Sequence, residues 1–297
     1  FYLTGKELWE GILGMLCGHL GLVVLVSALW KLAGVYSLIQ QIDRYEMISF
    51  KNVSYCYDKV KTKYSRDVLK GISFRIREGE KIGLAGANGV GKSTLLKLIV
   101  GLLDHYEGRI TVDGILVEHR NYPQVREKAA YVFQDSDSQL FMNTVYEDVA
   151  FAPRNYGRSP EEVEKRTMDA LRAVHMEEKK ECRIYRLSGG EKKLAAIATV
   201  LSMEPEVLLM DEPSVALDPQ NRRNLIHILK ELPVAQVIAS HDLDFLYDTC
   251  DRILVLSDGK LVADSTPDQV LLDEERMQAY GLELPLSFSR RDTSCII

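Results

Sequence analysis

The residues best suited to chemistry in this sequence form a glycine-rich run. They fit the pattern G-x-x-x-x-G-K-[ST], with one further threonine after it: Gly86, Ala87, Asn88, Gly89, Val90, Gly91, Lys92, Ser93 and Thr94. Glycines let backbone N–H groups turn inward around phosphate oxygens, and a helix that begins here adds the partial positive charge of its N-terminus. We therefore expect Lys92 to reach the β- and γ-phosphates of a nucleotide, and the Ser93 hydroxyl to bind Mg²⁺.

Two acidic residues end an apolar stretch later in the chain. Val207–Met210 has no polar side chain, which is typical of a buried strand, and Asp211 and Glu212 follow it directly. This arrangement resembles the Walker B motif. We expect Asp211 at the strand tip to hold Mg²⁺, mostly through water, and Glu212 to polarise the attacking water as general base. A phosphate-binding loop alone does not choose among kinases, GTPases, helicases and transport ATPases, so a further motif is needed.

That further motif is a short glycine turn before a predicted helix at residues 192–201, which makes a second helix N-terminus able to bind phosphate. Its residues are Leu187, Ser188, Gly189, Gly190 and Glu191. They resemble the signature motif of ATP-binding cassette (ABC) ATPases. The resemblance implies ATP and Mg²⁺ as ligands, and a head-to-tail dimer with a second ABC ATPase domain, identical or different. The sequence departs from the family pattern at Leu194, where a basic residue is usual, and at Ser214-Val215, and both departures bear on the dimer contacts.

The same resemblance assigns roles to residues elsewhere in the chain. It implies that Gln134 in the Q-loop senses Mg²⁺ and contacts the membrane partner. It implies that Asp218 belongs to the D-loop, which links the two active sites, and that His241 contacts the γ-phosphate. It also implies an aromatic residue stacked on adenine, for which Tyr57 is the first choice and Tyr55 the alternative.

Segments outside the phosphate-handling motifs narrow the resemblance. Residues 132–141, 144–151, 241–245 and 281–285 look like the energy-coupling factor and cobalt/nickel transport ATPases of the CbiO group. This implies the ATP-hydrolysing subunit of an importer for cobalt or nickel ions. Its partners would be a transmembrane coupling subunit and a substrate-binding membrane subunit. No His, Cys or carboxylate cluster has ligand spacing for the cargo, so we expect a separate membrane protein to choose it.

Three alternatives stay open at this point. The same motor could serve a vitamin or another small substrate, or belong to a non-transport ABC protein of DNA repair or translation. It could also be a nucleotide-binding regulator without turnover. The compact gap between Gly86 and Ser188 and the net charge of −6 oppose a nucleic-acid partner. Glu212 and His241 oppose a regulator without turnover.

From Met47 onward, predicted strands and helices alternate, which is typical of an α/β domain with a mainly parallel sheet. The predicted strands lie at residues 48–57, 68–77, 81–85, 128–133, 207–210 and 237–239, and the predicted helices at 95–100, 161–180 and 192–201. The resemblance implies a P-loop NTPase fold of the ABC type: a RecA-like parallel-sheet core with an antiparallel β subdomain and a helical subdomain. We expect one ABC ATPase domain at 47–297, a helical subdomain at about 135–187 and a C-terminal tail at about 270–297.

The first part of the chain differs in character. Residues 1–46 form an apolar extension, in which residues 11–30 carry no formal charge. As a helix this run would be about 30 Å long, which matches the bilayer core. Gly14 and Gly18 form a GxxxG pair, as in packed membrane helices. We expect an apolar N-terminal helix that is able to span a membrane; the alternatives are a buried hydrophobic hairpin and upstream sequence joined to the chain in error.

The expected location follows from the same features. Five scattered cysteines without metal or redox spacing predict reduced thiols in the cytosol. We therefore expect the protein at the cytoplasmic face of the cell membrane, either peripheral or anchored if residues 11–30 span it.

Overall fold

The computed structural model describes residues 46–58 and 67–289, which form two β-sheets and the helices packed against them. Strands β1 to β10 are Glu46–Tyr55, Leu69–Arg77, Lys81–Ala85, Glu107–Val112, Ile115–Leu116, Ala129–Val132, Val207–Asp211, Ala235–Ala239, Arg252–Ser257 and Lys260–Ser265. Helices α1 to α10 are Lys92–Ile99, Tyr122–Lys128, Val145–Asn155, Pro160–Ala173, Gly189–Leu201, Pro219–Glu231, Leu243–Thr249, Pro267–Leu271, Glu274–Ala279 and Leu286–Ser289. Short 3₁₀ turns lie at His119–Asn121, Ser136–Ser138, Glu177–Lys179 and Ile184–Arg186.

The smaller sheet is antiparallel, with strand order β2-β1-β4-β5. In β2 the apolar residues alternate with polar ones from Ile72 to Arg77, so that one face of this strand is buried and the other is exposed to water. Phe50 on β1 lies opposite Phe74 on β2, and their rings stack with centroids 4.6 Å apart. This sheet is the antiparallel β region that the sequence predicts.

The larger sheet has strand order β10-β9-β3-β8-β7-β6. All pairs from β9 to β6 are parallel, and β10 is an antiparallel edge strand. Every residue of β7 and β8 is buried, because helices cover both faces of the sheet. Val207 and Leu209 join one hydrophobic core with α1, while Leu208 and Met210 join a second core with α5 and α6.

The parallel order decides where the polar loops lie. The carboxyl ends of β3, β8, β7 and β6 meet at one edge of the sheet, in that order. The glycine-rich run follows β3, His241 follows β8, Glu212 follows β7, and Gln134 follows β6. Residues that are far apart in the sequence are therefore placed side by side at this edge.

The helices between β6 and β7 correct two sequence predictions. The helix expected at 161–180 ends at Ala173, because His175 takes a left-handed backbone with φ 55°, which an α-helix does not continue through. The helix expected from residue 192 begins at Gly189, because the Ser188 side chain caps it. Helices α3 and α4 pack on α5, and the limits of 135–187 for a helical subdomain stay a prediction.

Within residues 46–58 and 67–289, no helix combines the length and the apolar character needed to cross a bilayer. The predicted membrane helix at residues 11–30 lies outside the described residues.

Candidate active site

The glycine-rich loop joins β3 to the N-terminus of α1. Gly91 has φ 112° and occupies the N-cap position of α1, a backbone conformation that favours glycine. Gly86 approaches the neighbouring strand so closely that a Cβ there would lie 2.6 Å from the Leu256 carbonyl oxygen. The loop therefore needs glycine at both ends, and it directs backbone N–H groups and the helix N-terminus toward one point.

Lys92 lies inside this loop. Its side chain is buried, and Nζ donates to the carbonyl oxygens of Gly86 at 2.7 Å and Ala87 at 3.3 Å. The nearest carboxylate oxygen is Oε1 of Glu212, at 4.0 Å. Burial lowers the pKa of Lys92, and the Glu212 and Asp211 carboxylates oppose that shift. The ammonium group is thus held beside the loop by neutral acceptors, where an added phosphate charge would stabilise it.

Asp211 receives two hydrogen bonds at the end of β7. Ser93 Oγ donates to Oδ1 and the Tyr131 hydroxyl donates to Oδ2, each at 2.9 Å. Burial and the adjacent Asp211 carboxylate raise the pKa of Tyr131, so the phenol stays a neutral donor. The carboxylate of Asp211 is therefore fixed in orientation on both of its oxygens.

Glu212 is buried and receives three donors on Oε2. His241 Nδ1 lies at 2.8 Å, the His241 backbone N–H at 3.2 Å and the Ser240 hydroxyl at 3.1 Å. The Glu212 backbone has φ 49°, a left-handed conformation that is uncommon for a residue with a side chain and that occurs at functional sites. The turn after β7 therefore places the Glu212 carboxylate beside the carboxyl end of β8, close to His241.

The cleft at this edge has a volume of about 510 Å³. Its lining brings together Tyr57, residues of the glycine-rich loop and α1, Gln134, Glu212 and His241. The Tyr57 hydroxyl is hydrogen-bonded to Thr94 Oγ1 at 2.8 Å, and its ring meets Tyr55 edge-on. Tyr55 is buried, so Tyr57 is the residue of this pair that lines the cleft.

The glycine turn at residues 187–191 is not part of that cleft. Ser188 Oγ accepts from the Glu191 N–H, and the Glu191 carboxylate accepts from the Ser188 N–H, which makes a capping box at the start of α5. Gly189 is exposed, and a Cβ there would meet nothing within 4 Å. Asp218 likewise caps α6 by accepting from the N–H groups of Gln220 and Asn221.

Two residues that sequence reasoning missed hold the loop after β6 against α5. The buried Lys193 Nζ donates to the carbonyl oxygens of Gln134 at 2.7 Å and Phe133 at 3.3 Å. Gln139 accepts from the Phe133 N–H at 3.0 Å and donates to the Ala196 carbonyl at 2.7 Å. Gln139 lies in the segment 132–141 that carries the family resemblance, which was the one available signal for it.

Substitution of the two glutamines of this loop should affect stability to different extents. Gln139→Ala should lower the free energy of unfolding by about 1–3 kcal/mol, because it removes the hydrogen bonds to the Phe133 N–H and the Ala196 carbonyl, each of which contributes about 0.5–1.5 kcal/mol. The Gln134 side chain is exposed, so Gln134→Ala should change that free energy by less than about 0.5 kcal/mol. Urea unfolding followed by circular dichroism measures both. Equal destabilisation by the two variants would contradict this account of the loop.

Comparison with known proteins agrees with the fold. Residues 69–215 match the ABC transporter family. The energy-coupling factor transporter ATP-binding protein EcfA of Methanothermobacter thermautotrophicus is 38% identical over 244 residues, covering 80% of this chain and 77% of EcfA. The structure of cbiO1 from Clostridium perfringens, part of the ABC transporter complex cbiONQ, has a TM-score of 0.71 and 35% identity, covering 82% of this chain and 98% of cbiO1. A dimeric ATP-binding cassette bound to ADP and Pi has a TM-score of 0.66 and 29% identity, covering 74% of this chain and 99% of the cassette.

The chain therefore belongs to the ABC transporter family, and it is an ATP-binding subunit whose ATPase activity is coupled to transport. Within that family it is of the energy-coupling factor (EcfA) type, with a CbiO subunit as a structural neighbour. The predicted α/β P-loop fold of the ABC type is confirmed, and so is the predicted resemblance to energy-coupling factor and CbiO ATPases.

Proposed function

We propose that this chain is the ATP-hydrolysing subunit of an energy-coupling-factor importer for cobalt or nickel ions. One observation carries the hydrolytic assignment: Lys92, Gln134, Glu212 and His241 line a single cleft beside the glycine-rich loop. The similarity to cbiO1 over 82% of this chain supports a CbiO-type subunit, and the choice of cobalt or nickel rests on the sequence resemblance to that group.

In the proposed reaction, the ATP phosphates lie against the N–H groups of residues 86–94 and the N-terminus of α1. Lys92 neutralises charge on the β- and γ-phosphates, and the Glu212 carboxylate takes a proton from the attacking water. In its imidazolium form, His241 donates through Nδ1 to Glu212 and through Nε2 to the γ-phosphate. Tyr57 at the cleft mouth provides an aromatic face for adenine, because its ring is more than half exposed.

The oxygen atoms beside the cleft are suitable ligands for Mg²⁺. Ser93 Oγ and Asp211 Oδ1 lie 2.9 Å apart, and hydroxyl and carboxylate oxygens are the ligands that Mg²⁺ prefers. We assign Mg²⁺ to Ser93 and Asp211, with Gln134 as the third residue. When bound, Mg²⁺ supplies positive charge that offsets the negative charge of the phosphates.

A second ABC ATPase domain, from another copy or a homologous chain, is the proposed partner at the glycine turn. Ser188 and Gly189 are exposed at the N-terminus of α5, while Gly190 and Glu191 complete the first turn of that helix. An exposed helix N-terminus can bind the γ-phosphate of ATP held by the partner. Asp218 would lie in the same dimer interface, beside the junction of the two active sites.

A transmembrane coupling subunit is the proposed partner at the loop after β6. Phe141 is 64% exposed, and its ring meets the ring of Phe151 edge-on at 4.7 Å. An exposed aromatic pair is typical of a protein–protein contact. A substrate-binding membrane subunit would choose the ion, and the chain would work at the cytoplasmic face of the membrane without a nucleic-acid partner.

Reconstitution of the chain with its co-purifying membrane subunits in liposomes tests this function. We expect ATP-dependent uptake of radioactive cobalt or nickel, and no uptake when the chain carries Glu212→Gln. A vesicle that accumulates a labelled vitamin and neither ion would overturn the cargo assignment. A chain that purifies without any membrane subunit would overturn the proposed partners.

A further inference from the structure

The first turn of α6 contacts two segments, the glycine turn at residues 187–191 and the turn 240–242 that contains His241. Asp218 caps this helix, and the Asn221 side chain donates through Nδ2 to Asp218 Oδ2 at 2.6 Å. The same Asn221 side chain packs on the glycine turn of α5, since a Cβ on Gly190 would lie 2.7 Å from Asn221 Cγ. This side of α6 therefore contacts the residues proposed for the dimer interface.

Arg222 in the same turn reaches the residue after His241. Its Nε donates to Asp242 Oδ2 at 2.8 Å, and a terminal nitrogen donates to Asp242 Oδ1 at 3.1 Å. The guanidinium also lies over the Phe245 ring, 5.5 Å from its centroid, and 3.8 Å from the Asp248 carboxylate. A planar guanidinium that binds both oxygens of a carboxylate fixes the orientation of that carboxylate.

Asp242 passes this constraint to the hydrolytic residues. Its Oδ1 accepts from the Phe245 N–H at 2.9 Å, which caps α7, and its own N–H donates to Ser240 Oγ at 3.0 Å. The Ser240 hydroxyl in turn donates to Glu212 Oε2. Burial would raise the pKa of Asp242, but hydrogen bonds from Arg222 and from the Phe245 N–H hold it below its ordinary value.

We propose that Arg222 is a positioning residue for ATP hydrolysis, which holds the turn 240–242 so that His241 and Glu212 keep their relative orientation. Arg222 does not line the nucleotide cleft, so it acts on the reaction through the residues it holds, and its two hydrogen bonds to Asp242 give the most direct route. Through Asn221 and Asp218, the same helix turn links this geometry to the proposed dimer interface. The proposal rests on the proposed roles of Glu212 and His241.

The first test compares steady-state ATP hydrolysis with ATP affinity, using the full chain. Arg222→Gln should lower kcat by about tenfold or more, because a small misplacement of reacting groups has large effects on rate. The dissociation constant for ATP should change by less than about twofold. Arg223→Gln, an exposed neighbour on the same helix, and Asp248→Asn, at the more distant carboxylate, should both keep kcat within about twofold of the wild type.

A double-mutant cycle identifies the route through Asp242. Asp242→Asn alone should reproduce the loss in kcat. The kcat of the double variant, which combines Arg222→Gln with Asp242→Asn, should lie within about threefold of that of the slower single variant. Arg222→Lys keeps the charge but cannot bind both oxygens, so its kcat should be intermediate; this variant keeps the test open if Arg222→Gln does not fold. Multiplicative losses in the cycle, or a normal kcat in Arg222→Gln, would overturn the positioning role.

Two further outcomes are informative. If Arg222→Gln lowered ATP affinity and thermal stability together with kcat, Arg222 would have a general structural role and the proposal would be overturned. Normal turnover in Glu212→Gln would instead overturn the proposed general base, whatever the Arg222 variants do.

Discussion

Glu212→Gln should lower ATP turnover by about 100-fold or more while leaving ATP affinity unchanged. A general base accounts for roughly 10²–10⁴-fold in rate, and the amide cannot take a proton from water. The glutamine has the same shape, and its oxygen can still accept from His241 Nδ1 and the Ser240 hydroxyl, so the fold should be retained. Phosphate release from ATP measures turnover, and a fluorescent ATP analogue measures affinity.

Glu204 offers a matched control for this substitution. It also has a left-handed backbone, with φ 54°, but it is exposed and makes an ion pair with Arg166 outside the cleft. Glu204→Gln should therefore hydrolyse ATP at the wild-type rate. If Glu212→Gln retained normal turnover as well, Glu212 would not be the general base.

The same variant should also accumulate the ATP-bound dimer, because bound ATP is no longer consumed. Light scattering after gel filtration should show a doubled mass for Glu212→Gln with ATP. Gly189→Asp in this background should prevent the increase, since a carboxylate at the exposed start of α5 repels the partner's phosphates. Gly189→Ala, which meets no atom within 4 Å, should have a milder effect. A dimer that forms equally well with Gly189→Asp would contradict the proposed interface.

Lys92→Met should weaken ATP binding by about 10- to 100-fold, since a charged hydrogen bond contributes roughly 1.5–3 kcal/mol. Methionine fills a similar volume without the burial cost of an ammonium group, which in the wild type lowers the pKa of Lys92. The nucleotide-free variant should therefore melt near the wild-type temperature. What it should lose is the rise in melting temperature that saturating ATP produces in the wild type.

Lys97 on the same helix is the control for Lys92→Met. It is half-buried at the far end of α1 and is not part of the cleft lining. Lys97→Met should therefore keep the stabilisation by ATP. ATP-induced stabilisation that survives in Lys92→Met would show that the lysine does not contact the phosphates.

The sequence predicts the strands that carry the active site because these strands are mostly apolar and are followed by polar motifs. Lys81–Ala85 has the bounds of the observed β3, and the acidic pair was expected at the tip of the strand that became β7. The parallel order of these strands then brings Glu212 and His241 to the glycine-rich loop. Local pattern and sheet geometry together were sufficient for this part.

The supporting contacts could not be predicted in the same way. Tyr131 bonds Asp211 across 80 positions, and Lys193 bonds Gln134 across 59. Neither residue belongs to a pattern with its partner, since the contact depends on how β6, β7 and α5 pack. The predicted end of the helix at 161–180 was wrong for a related reason: the left-handed backbone at His175 is not visible in hydrophobic periodicity.

Helix α5 connects the proposed dimer interface to the loop after β6. Its N-terminus is exposed at Ser188 and Gly189, and its flank holds the Gln134 loop through the Lys193 ammonium. A helix of 13 residues is about 20 Å long and stiff, so a displacement of its N-terminus also moves the residues along its side. In a head-to-tail dimer, the ATP bound by one protomer would contact the N-terminus of α5 in the other. The loop after β6 in each protomer would then respond to the ATP bound by the other protomer. A protomer that cannot bind ATP would leave this loop of its partner unaffected by nucleotide.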